Sequence, residues 1–297
     1  MTIKTILCPI DLSGFSRPAL AHAAALSRWY RAEVKVLHVF AAVMPPATLG
    51  TYPGWMLQVP EARRSITSEL QSVLEPFTTA GVPLDLHIAD GDAPAEIVRH
   101  ASELHADLLV MGTHGRGGFD RFALGSVTEK VLRKAPCPVL TLPPGAAATN
   151  VAVEYHNIVC PTDFSPSSET GVQWALSLGR VTDAMVTVLH VVETSTDDEG
   201  KPRAQQAAAS DDAEARALRS LVKEHIQAAD KVTEVVTHGK PYREILRAAS
   251  ECKADLIVIG VRGRGPVDLT LFGSTTNQVV RRATCPVMTV RSRGERL

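Results

Sequence analysis

One pattern of glycines and serines occurs twice in this chain, and its residue types suit the binding of phosphate. The pattern is G-x2-G-x9-G-S, at Gly112, Gly115, Gly125 and Ser126 and again at Gly260, Gly263, Gly273 and Ser274. Because glycine lacks a Cβ, these segments can bring backbone N–H groups close to an anion and can adopt positive φ angles. Each Gly-Ser pair stands where a helix is predicted to begin, with free N–H donors and the positive end of the helix dipole. Two copies with the same spacing predict two phosphate-binding loops.

The single residues of these loops also have ordinary explanations. Ser126 and Glu129 match a capping box, so helix capping alone would account for that serine. Gly117 and Gly118 are explained equally well by a plain turn. The repetition of the spacing after an apolar strand, rather than any one residue, therefore favours phosphate binding.

An aspartate follows the first predicted strand in both copies. Asp11 ends the sequence Ile-Leu-Cys-Pro-Ile-Asp, and Asp163 ends Ile-Val-Cys-Pro-Thr-Asp. A carboxylate at this position can accept hydrogen bonds from a base amine or from ribose hydroxyls. An Asx-turn, or an N-cap for the following helix, is the alternative. If the first and fourth strands are neighbours, the aspartate and the glycine loop face the same crevice.

The two loops belong to a repeat of a whole domain. The segment Ala106–Gly112 matches Ala254–Gly260, and Ala135–Val139 matches Ala283–Val287. Corresponding residues are 152 apart at the aspartate (163 − 11) and 148 apart at the later motifs (260 − 112). Two prolines followed by small residues, from residue 143 onward, are typical of a strand end and a linker. We therefore expect domains at residues 1–144 and 154–297, the first and second halves, joined by a linker at about residues 145–153.

Short β-rich segments alternate with helical patterns in the first half. The predicted strands are Thr5–Ile10, Glu33–Phe40, Leu84–Ala89, Asp107–Met111 and Val139–Leu142. The predicted helices are Pro18–Tyr30, Arg63–Ala80, Ala93–Leu104 and Ser126–Lys134. This order predicts an α/β fold with a parallel sheet that is covered by helices on both faces. Such sheets bind ligands beyond the carboxyl ends of their strands, where the strand order reverses.

The opening Ile-Leu-Cys-Pro-Ile-Asp-Leu-Ser and the doubled glycine pattern together resemble the universal stress protein family, over nearly the whole chain. The resemblance implies two flavodoxin-like domains, also described as adenine nucleotide alpha hydrolase-like, each with five parallel strands in the order 3-2-1-4-5. It implies the ATP-binding branch of the family, with ATP, ADP or AMP as the ligand, with or without Mg²⁺.

The same resemblance implies a set of nucleotide contacts in each half. In the first half, Pro9 and Asp11 would flank the adenosine and the backbone of Val39 would meet the adenine. The ribose and phosphates would lie against Met111, Gly112, His114, Gly115, Gly125, Ser126, Val127 and Thr128. The matching positions of the second half are Pro161, Asp163, Val191, Ile259, Gly260, Arg262, Gly263, Gly273, Ser274, Thr275 and Thr276. Because arginine is always charged and histidine is mostly neutral at pH 7, the exchange of His114 for Arg262 predicts two sites of different affinity.

Other features of the chain rank below these sites. His38 and His190 are interpreted as structural, and the recurring cysteines as small buried residues. Arg116 and Arg264, between loop glycines, either reach phosphate or are simply solvated. The first half has an apolar insertion at residues 44–56 that could cover the site or touch a partner. The second half has an acidic stretch at residues 197–201, which is expected to be mobile and solvated.

The composition excludes several function classes. Lys and Arg number 31 against 32 Asp and Glu, so the chain has no basic field for nucleic acid. No stretch approaches about 18 uninterrupted apolar residues, so no membrane span is expected. The first residues lack the features of a signal peptide, and the five cysteines are therefore expected to be reduced thiols in a cytoplasmic protein.

These observations lead to three functional hypotheses. The first is a nucleotide-binding stress-response regulator without strong catalysis. The second is an enzyme, either a slow ATPase or a nucleotidyl transferase, although the HxGH motif of the latter is absent from the sequence. The third is a scaffold for an unknown protein partner, and the glycine pattern argues against a nucleotide-free scaffold but not against one gated by nucleotide. The resemblance also implies that the fifth strands, Val139–Leu142 and Val287–Val290, pair within the chain as a pseudo-dimer, and further homodimerisation stays open.

Overall fold

The computed structural model describes residues 1–40, 59–115, 124–144, 153–193, 204–261 and 273–292. The apolar insertion at 44–56, the acidic stretch at 197–201, Arg116 and Arg264 lie outside these residues, as do Arg262 and Gly263 of the predicted second site. Residues 145–152 of the predicted linker also lie outside them, so the division into domains at 144 and 154 stays a prediction.

Strands and helices alternate in the first half as predicted. The elements are β1 (Thr5–Pro9), α1 (Ser16–Tyr30), β2 (Glu33–Phe40), α2 (Val59–Thr79), β3 (Leu84–Asp90), α3 (Ala93–Glu103), β4 (Leu108–Gly112), α4 (Ser126–Lys134) and β5 (Val139–Leu142). Their ends differ from the predicted ends by only a few residues. For example, α1 begins before Pro18, because proline is tolerated in the first turn of a helix.

The second half repeats this order. Its elements are β6 (Asn157–Thr162), α5 (Pro166–Thr182), β7 (Met185–Val192), α6 (Ala204–His225), β8 (Lys231–His238), α7 (Pro241–Glu251), β9 (Leu256–Gly260), α8 (Ser274–Arg282) and β10 (Val287–Val290). In both halves a left-handed residue ends the first helix, Arg31 after α1 and Asp183 after α5.

The ten strands form one sheet in the order β3-β2-β1-β4-β5-β10-β9-β6-β7-β8. Strands within each half are parallel, and each half has the order 3-2-1-4-5 that the resemblance implied. The strands β5 and β10 pair antiparallel, which confirms the predicted pairing of the two fifth strands. The two predicted parallel sheets are therefore joined into a single mixed sheet.

The hydrophobic core consists of two layers, one on each face of the sheet. Helices α1, α2, α5 and α6 contribute to one layer, with fully buried residues such as Leu26 and Leu178. Helices α3, α4, α7 and α8 contribute to the other layer, with Val131 and Val279. Each layer contains residues of both halves. Burial of apolar surface therefore stabilises the two halves as one body.

Polar contacts also cross the seam between β5 and β10. The buried hydroxyl of Thr141 donates to the Val287 carbonyl at 3.1 Å, and that of Thr289 donates to the Val139 carbonyl at 3.3 Å. The guanidinium of Arg291, just after β10, donates to the carbonyl of Leu132 at 2.9 Å and to that of Arg133. The last turn of α4 in the first half is thus capped by a cation from the second half, which also complements the helix dipole.

A tyrosine from the start of the second half is buried against α1 of the first half. The hydroxyl of Tyr155 lies 2.8 Å from Nδ1 of His22, and its ring centroid lies 5.3 Å from that of Trp29. Burial lowers the pKa of His22 to about 4 and raises the pKa of Tyr155. Both groups are therefore neutral near pH 7, and the phenol O–H donates to the imidazole.

In the part of the chain that the structure describes, no helix combines the length and the apolar character that crossing a membrane requires.

Candidate functional site

A cavity of about 470 Å³ opens in the first half at the carboxyl ends of β1 and β4. The two strands are paired only at Ile6–Leu108 and Leu7–Leu109, and beyond these pairs their ends separate. The strand order reverses between β1 and β4, so the cavity occupies the place where parallel α/β sheets bind ligands.

All eleven residues that the sequence predicts for the first site line this cavity: Pro9, Asp11, Val39, Met111, Gly112, His114, Gly115, Gly125, Ser126, Val127 and Thr128. The sequence did not single out the remaining lining residues as site residues: Ile10, Phe15, Ser16, Ala19, Leu37, Ala93, Ile97 and Leu124. Most of these are apolar, and several are the inward faces of α1 and α3, for which helical periodicity is the only sequence signal.

The carboxylate of Asp11 is fixed by the start of α1. Its Oδ1 accepts hydrogen bonds from the Ser13 N–H at 3.0 Å and from the Ser16 hydroxyl at 3.1 Å. The first of these bonds is the Asx-turn that was the alternative reading of this residue. The turn places Leu12 in the left-handed region, with φ 61°, which a residue with a Cβ adopts at a cost. Asp11 is therefore both a turn residue and a part of the cavity wall.

The other carboxylate oxygen of Asp11 meets the glycine loop. A Cβ added to Gly115 would lie 2.5 Å from Oδ2 of Asp11, and a Cβ on Gly125 would lie 2.9 Å from the carbonyl oxygen of Thr113. A side chain at either position requires its neighbour to move. Neither glycine has a positive φ, and the same holds for Gly112, so the left-handed conformation that glycine permits is not used at these three positions. Close approach, rather than backbone freedom, is the reason for glycine here.

The start of α4 lies at the cavity, which Gly125, Ser126, Val127 and Thr128 line. The N-cap is Gly125, no side chain of the described residues caps the helix, and Ser126 is the first helical residue. The predicted capping box of Ser126 and Glu129 is therefore wrong, and Glu129 instead pairs with Arg133 and approaches Arg281 across the seam. The first backbone bond of the helix is from Glu129 N–H to Gly125 C=O, so the N–H groups of residues 126–128 have no partner within the helix. They are suited to bind an anion.

The hydroxyl groups of Thr128 and Thr113 donate hydrogen bonds to backbone carbonyls of the first half. The hydroxyl of Thr128 donates to the Gly112 carbonyl at 2.9 Å, and the hydroxyl of Thr113 donates to the Leu142 carbonyl at 3.0 Å. Because the single proton of Thr113 is used in this way, Nδ1 of His114, 2.9 Å away, must be the donor of their shared hydrogen bond. Thr128 thus lines the cavity while its hydroxyl proton stabilises the loop, a role that the sequence did not predict.

The end of β2 offers backbone groups to the cavity. The Ile10 N–H donates to the Leu37 carbonyl, and β1 ends one residue earlier. Because backbone groups alternate in direction along a strand, the N–H and C=O of Val39 point to the same side as those of Leu37, where β1 is no longer present. His38 lies between them, and its Nδ1 contacts the Ile10 carbonyl at 2.9 Å. His190 contacts Thr162 in the same way at 2.8 Å, so both histidines have the predicted structural role.

The second half repeats part of this geometry. Pro161 lies in β6, Val191 in β7, and Ile259 and Gly260 at the end of β9. Gly273 is the N-cap of α8, and Ser274, Thr275 and Thr276 form its first turn. The Thr276 hydroxyl donates to the Gly260 carbonyl at 2.7 Å, and Oδ1 of Asp163 accepts from the N–H and the hydroxyl of Ser165 at 3.1 and 2.6 Å.

The cysteines of the described residues are not arranged for chemistry. All five are free, and Cys8 and Cys160 are fully buried, as expected for small core residues. Burial raises the pKa of Cys137 to about 12. Among the described residues, no group of three or more His, Cys, Asp or Glu side chains has the arrangement of a metal site.

Comparison with known proteins gives one family. The family model described as "Universal stress protein family" matches residues 2–143 and again residues 154–291. A universal stress protein of Mycolicibacterium smegmatis is 27% identical over 97% of this chain and 97% of its own length. One from Methanocaldococcus jannaschii is 34% identical over 47% of this chain and 81% of its own length. The crystal structure of a universal stress protein from Archaeoglobus fulgidus superposes with a TM-score of 0.71 at 22% identity, covering 98% of this chain and 97% of that one, which shows the shared fold.

Proposed function

Because the chain belongs to the universal stress protein family, we propose that it is a stress-response regulator that binds ATP, or ADP or AMP, in the cavity of its first half. The observation that carries this proposal is the cavity itself. Eleven residues chosen from spacing and resemblance alone line a single cavity. Its volume of about 470 Å³ falls in the range of about 300–1,000 Å³ that is usual for ligand sites.

The lining of the cavity fits an adenine nucleotide in its chemistry. Apolar side chains such as Ile10, Leu37 and Ile97 would bury the flat base. The backbone of Val39 would hydrogen bond the edge of the base, and the carboxylate of Asp11 would accept bonds from an amine or from ribose hydroxyls. The N–H groups at the start of α4 and the close backbone at Gly115 would receive the phosphates.

The described residues favour binding over hydrolysis. Among the described residues that line the cavity, Asp11 is the one with a carboxylate, and its Oδ1 already accepts two hydrogen bonds from Ser13 and Ser16. Mg²⁺ would be held mainly by the phosphates of the nucleotide, as is usual for this ion. The nucleotide would then act as a signal, with a protein partner reading the loaded state, and further homodimerisation stays a prediction.

The proposal is tested by counting the nucleotide that copurifies with the chain. The protein is purified, denatured and analysed by mass spectrometry, and the empty protein is titrated with ATP in the presence and absence of Mg²⁺. We expect at least one adenine nucleotide per chain. Neither copurified nucleotide nor binding of added ATP, ADP or AMP would contradict the proposed function.

The chain provides a matched pair of glycine variants for this experiment. Gly115→Ala places a methyl group against the end of the Asp11 side chain, which can move, so we expect a folded protein with nucleotide affinity reduced by about tenfold or more. Gly14→Ala is the control, because a Cβ on this exposed glycine has no atom within 4 Å. Equal affinities of the two variants would show that the loop and Asp11 do not form the site.

A further inference from the structure

The two halves differ at the positions that form the apolar part of the first cavity. Ile10 and Phe15 line that cavity, and we call them the apolar seat. By the spacing of the repeat, 152 residues at this point of the chain, their counterparts are Thr162 and Ser167. Each of the two apolar side chains is thus replaced by one with a hydroxyl.

In the second half these hydroxyls belong to a buried network. The Thr162 hydroxyl lies 3.0 Å from the Ser168 hydroxyl and accepts from the Phe164 N–H at 3.1 Å. Ser168 also donates to the Ser165 carbonyl, and Ser165 donates to Asp163. Thr162, Ser165 and Ser168 are each less than a tenth exposed. Because these groups bond to one another, they need no ligand to be satisfied.

The same replacement changes the bonds of the neighbouring serine. In the first half Ile10 has no hydroxyl, and Ser16 bonds to the Asp11 carboxylate at 3.1 Å. In the second half the equivalent Ser168 bonds to Thr162 instead, and Asp163 is bonded by Ser165. The two aspartates share the equivalent backbone bond, from the Ser13 and Ser165 N–H groups, but they accept their hydroxyl hydrogen bond from serines at different positions.

The helix that borders the crevice also begins earlier in the second half. Helix α5 starts at Pro166 with Ser165 as its N-cap, two residues before the position equivalent to the start of α1. Ser167 is therefore inside the first turn, and its carbonyl carbon would be 2.9 Å from a Cβ on Gly260. In the first half Phe15 precedes the helix, and its ring lies 5.9 Å from that of His114 beside the cavity. In the second half the main chain at Ser167 therefore packs against the end of β9. At the equivalent position of the first half, the side chain of Phe15 lines the cavity.

We infer that the first half holds the tight nucleotide site, because its apolar seat buries the base, and that the second half binds the same nucleotide more weakly. The inference rests on the proposed function. It adds which half binds the nucleotide more tightly and which residues determine the difference in affinity. Removal of even one methylene-sized group from an apolar pocket weakens recognition by about 10–200-fold, so we expect dissociation constants that differ by at least about tenfold. The prediction that the first half has the higher affinity follows from contacts to the base. The exchange of His114 for Arg262 concerns only contacts to the phosphates.

The test exchanges the seat residues between the halves of the full chain. ATP binding is measured by calorimetry and by native mass spectrometry for the wild type, for Ile10→Thr/Phe15→Ser and for Thr162→Ile/Ser167→Phe. We expect one tight site in the wild type, its loss by at least about tenfold in the first variant, and a strengthened second site in the other. The single variants Ile10→Thr and Thr162→Ile make the same comparison with a smaller change, in case a double variant does not fold.

Inorganic triphosphate, which has no base, serves as the second probe. If the seat acts through the base, Ile10→Thr/Phe15→Ser weakens ATP but leaves triphosphate binding within about threefold of the wild type. Two equally tight sites in the wild type, or an unchanged tight site in both first-half variants, would overturn this inference alone. Absence of any nucleotide binding by the wild type would overturn the proposed function as well.

Discussion

Acid should weaken the contact between the two halves through one buried histidine. His22 in α1 is 6% exposed, and Tyr155 of the second half donates its hydroxyl hydrogen to it. Burial lowers the pKa of His22 from the ordinary value of 6.5 to about 4, so the folded state holds the imidazole neutral. Below pH 6.5 the unfolded chain binds a proton that the folded chain does not. The stabilisation present above pH 6.5 is therefore lost progressively as the pH falls towards 4.

The size of this effect follows from the pKa difference. A lowering from 6.5 to about 4, at about 1.4 kcal/mol per pKa unit, corresponds to roughly 3 kcal/mol in the free energy of unfolding. Between about pH 7.5 and about pH 4.5, linkage assigns roughly 2 to 3 kcal/mol of the loss to this group. Carboxylates also titrate in this interval, so the contribution of His22 must be measured as a difference between variants.

Urea unfolding of the wild type, His22→Gln and His156→Gln at the two pH values provides that difference. Trp29 is a local fluorescent probe, since its ring packs against Tyr155. We expect the unfolding free energy of His22→Gln to fall by roughly 2 to 3 kcal/mol less than that of the wild type on acidification. His156→Gln should behave like the wild type, because the side chain of His156 is 67% exposed. Equal losses in the wild type and His22→Gln would refute the reasoning.

Three further results are expected. Thr128→Val, which removes the bond to the Gly112 carbonyl, should lower the free energy of unfolding by about 1 kcal/mol in urea titrations and weaken ATP binding. Unchanged values in both would show that the hydroxyl does not hold the loop. Arg291→Ala, which uncaps α4, should lower the unfolding free energy by about 1 kcal/mol, and an increase would contradict the capping role. Cys137 and Cys160 should react with a disulfide reagent near pH 8 only on unfolding, because burial raises both thiol pKa values; rapid reaction of either in the native protein would disprove this.

The sequence predicted the fold because local signals and the repeat agreed. Apolar runs, helix starts such as Pro94 and the duplicated motifs each pointed to alternating strands and helices, and the order of the strands followed from the resemblance. The pairing of β5 with β10 was also implied by the resemblance, and it gives each of these edge strands a partner. The elements themselves depend on residue patterns within short segments, whereas their arrangement followed from the resemblance.

The predicted capping box is wrong because helix capping depends on the exact path of the loop. The sequence around Ser126 fits a cap, but the chain enters α4 one residue earlier, at Gly125. Phe15 was missed for a related reason, since it lies outside the helical pattern of α1 and only the fold brings it beside the cavity. Loop geometry is decided by contacts between distant residues, as with Gly115 and Asp11, which no local pattern reveals.

The antiparallel seam determines the directions in which the crevices of the two halves open. Strands of one half run in the opposite direction to those of the other, because β5 and β10 are antiparallel while all other pairs are parallel. The carboxyl ends of β1 and β4 therefore face one edge of the molecule, and those of β6 and β9 face the opposite edge. A molecule bound over the first crevice would therefore not cover the crevice of the second half.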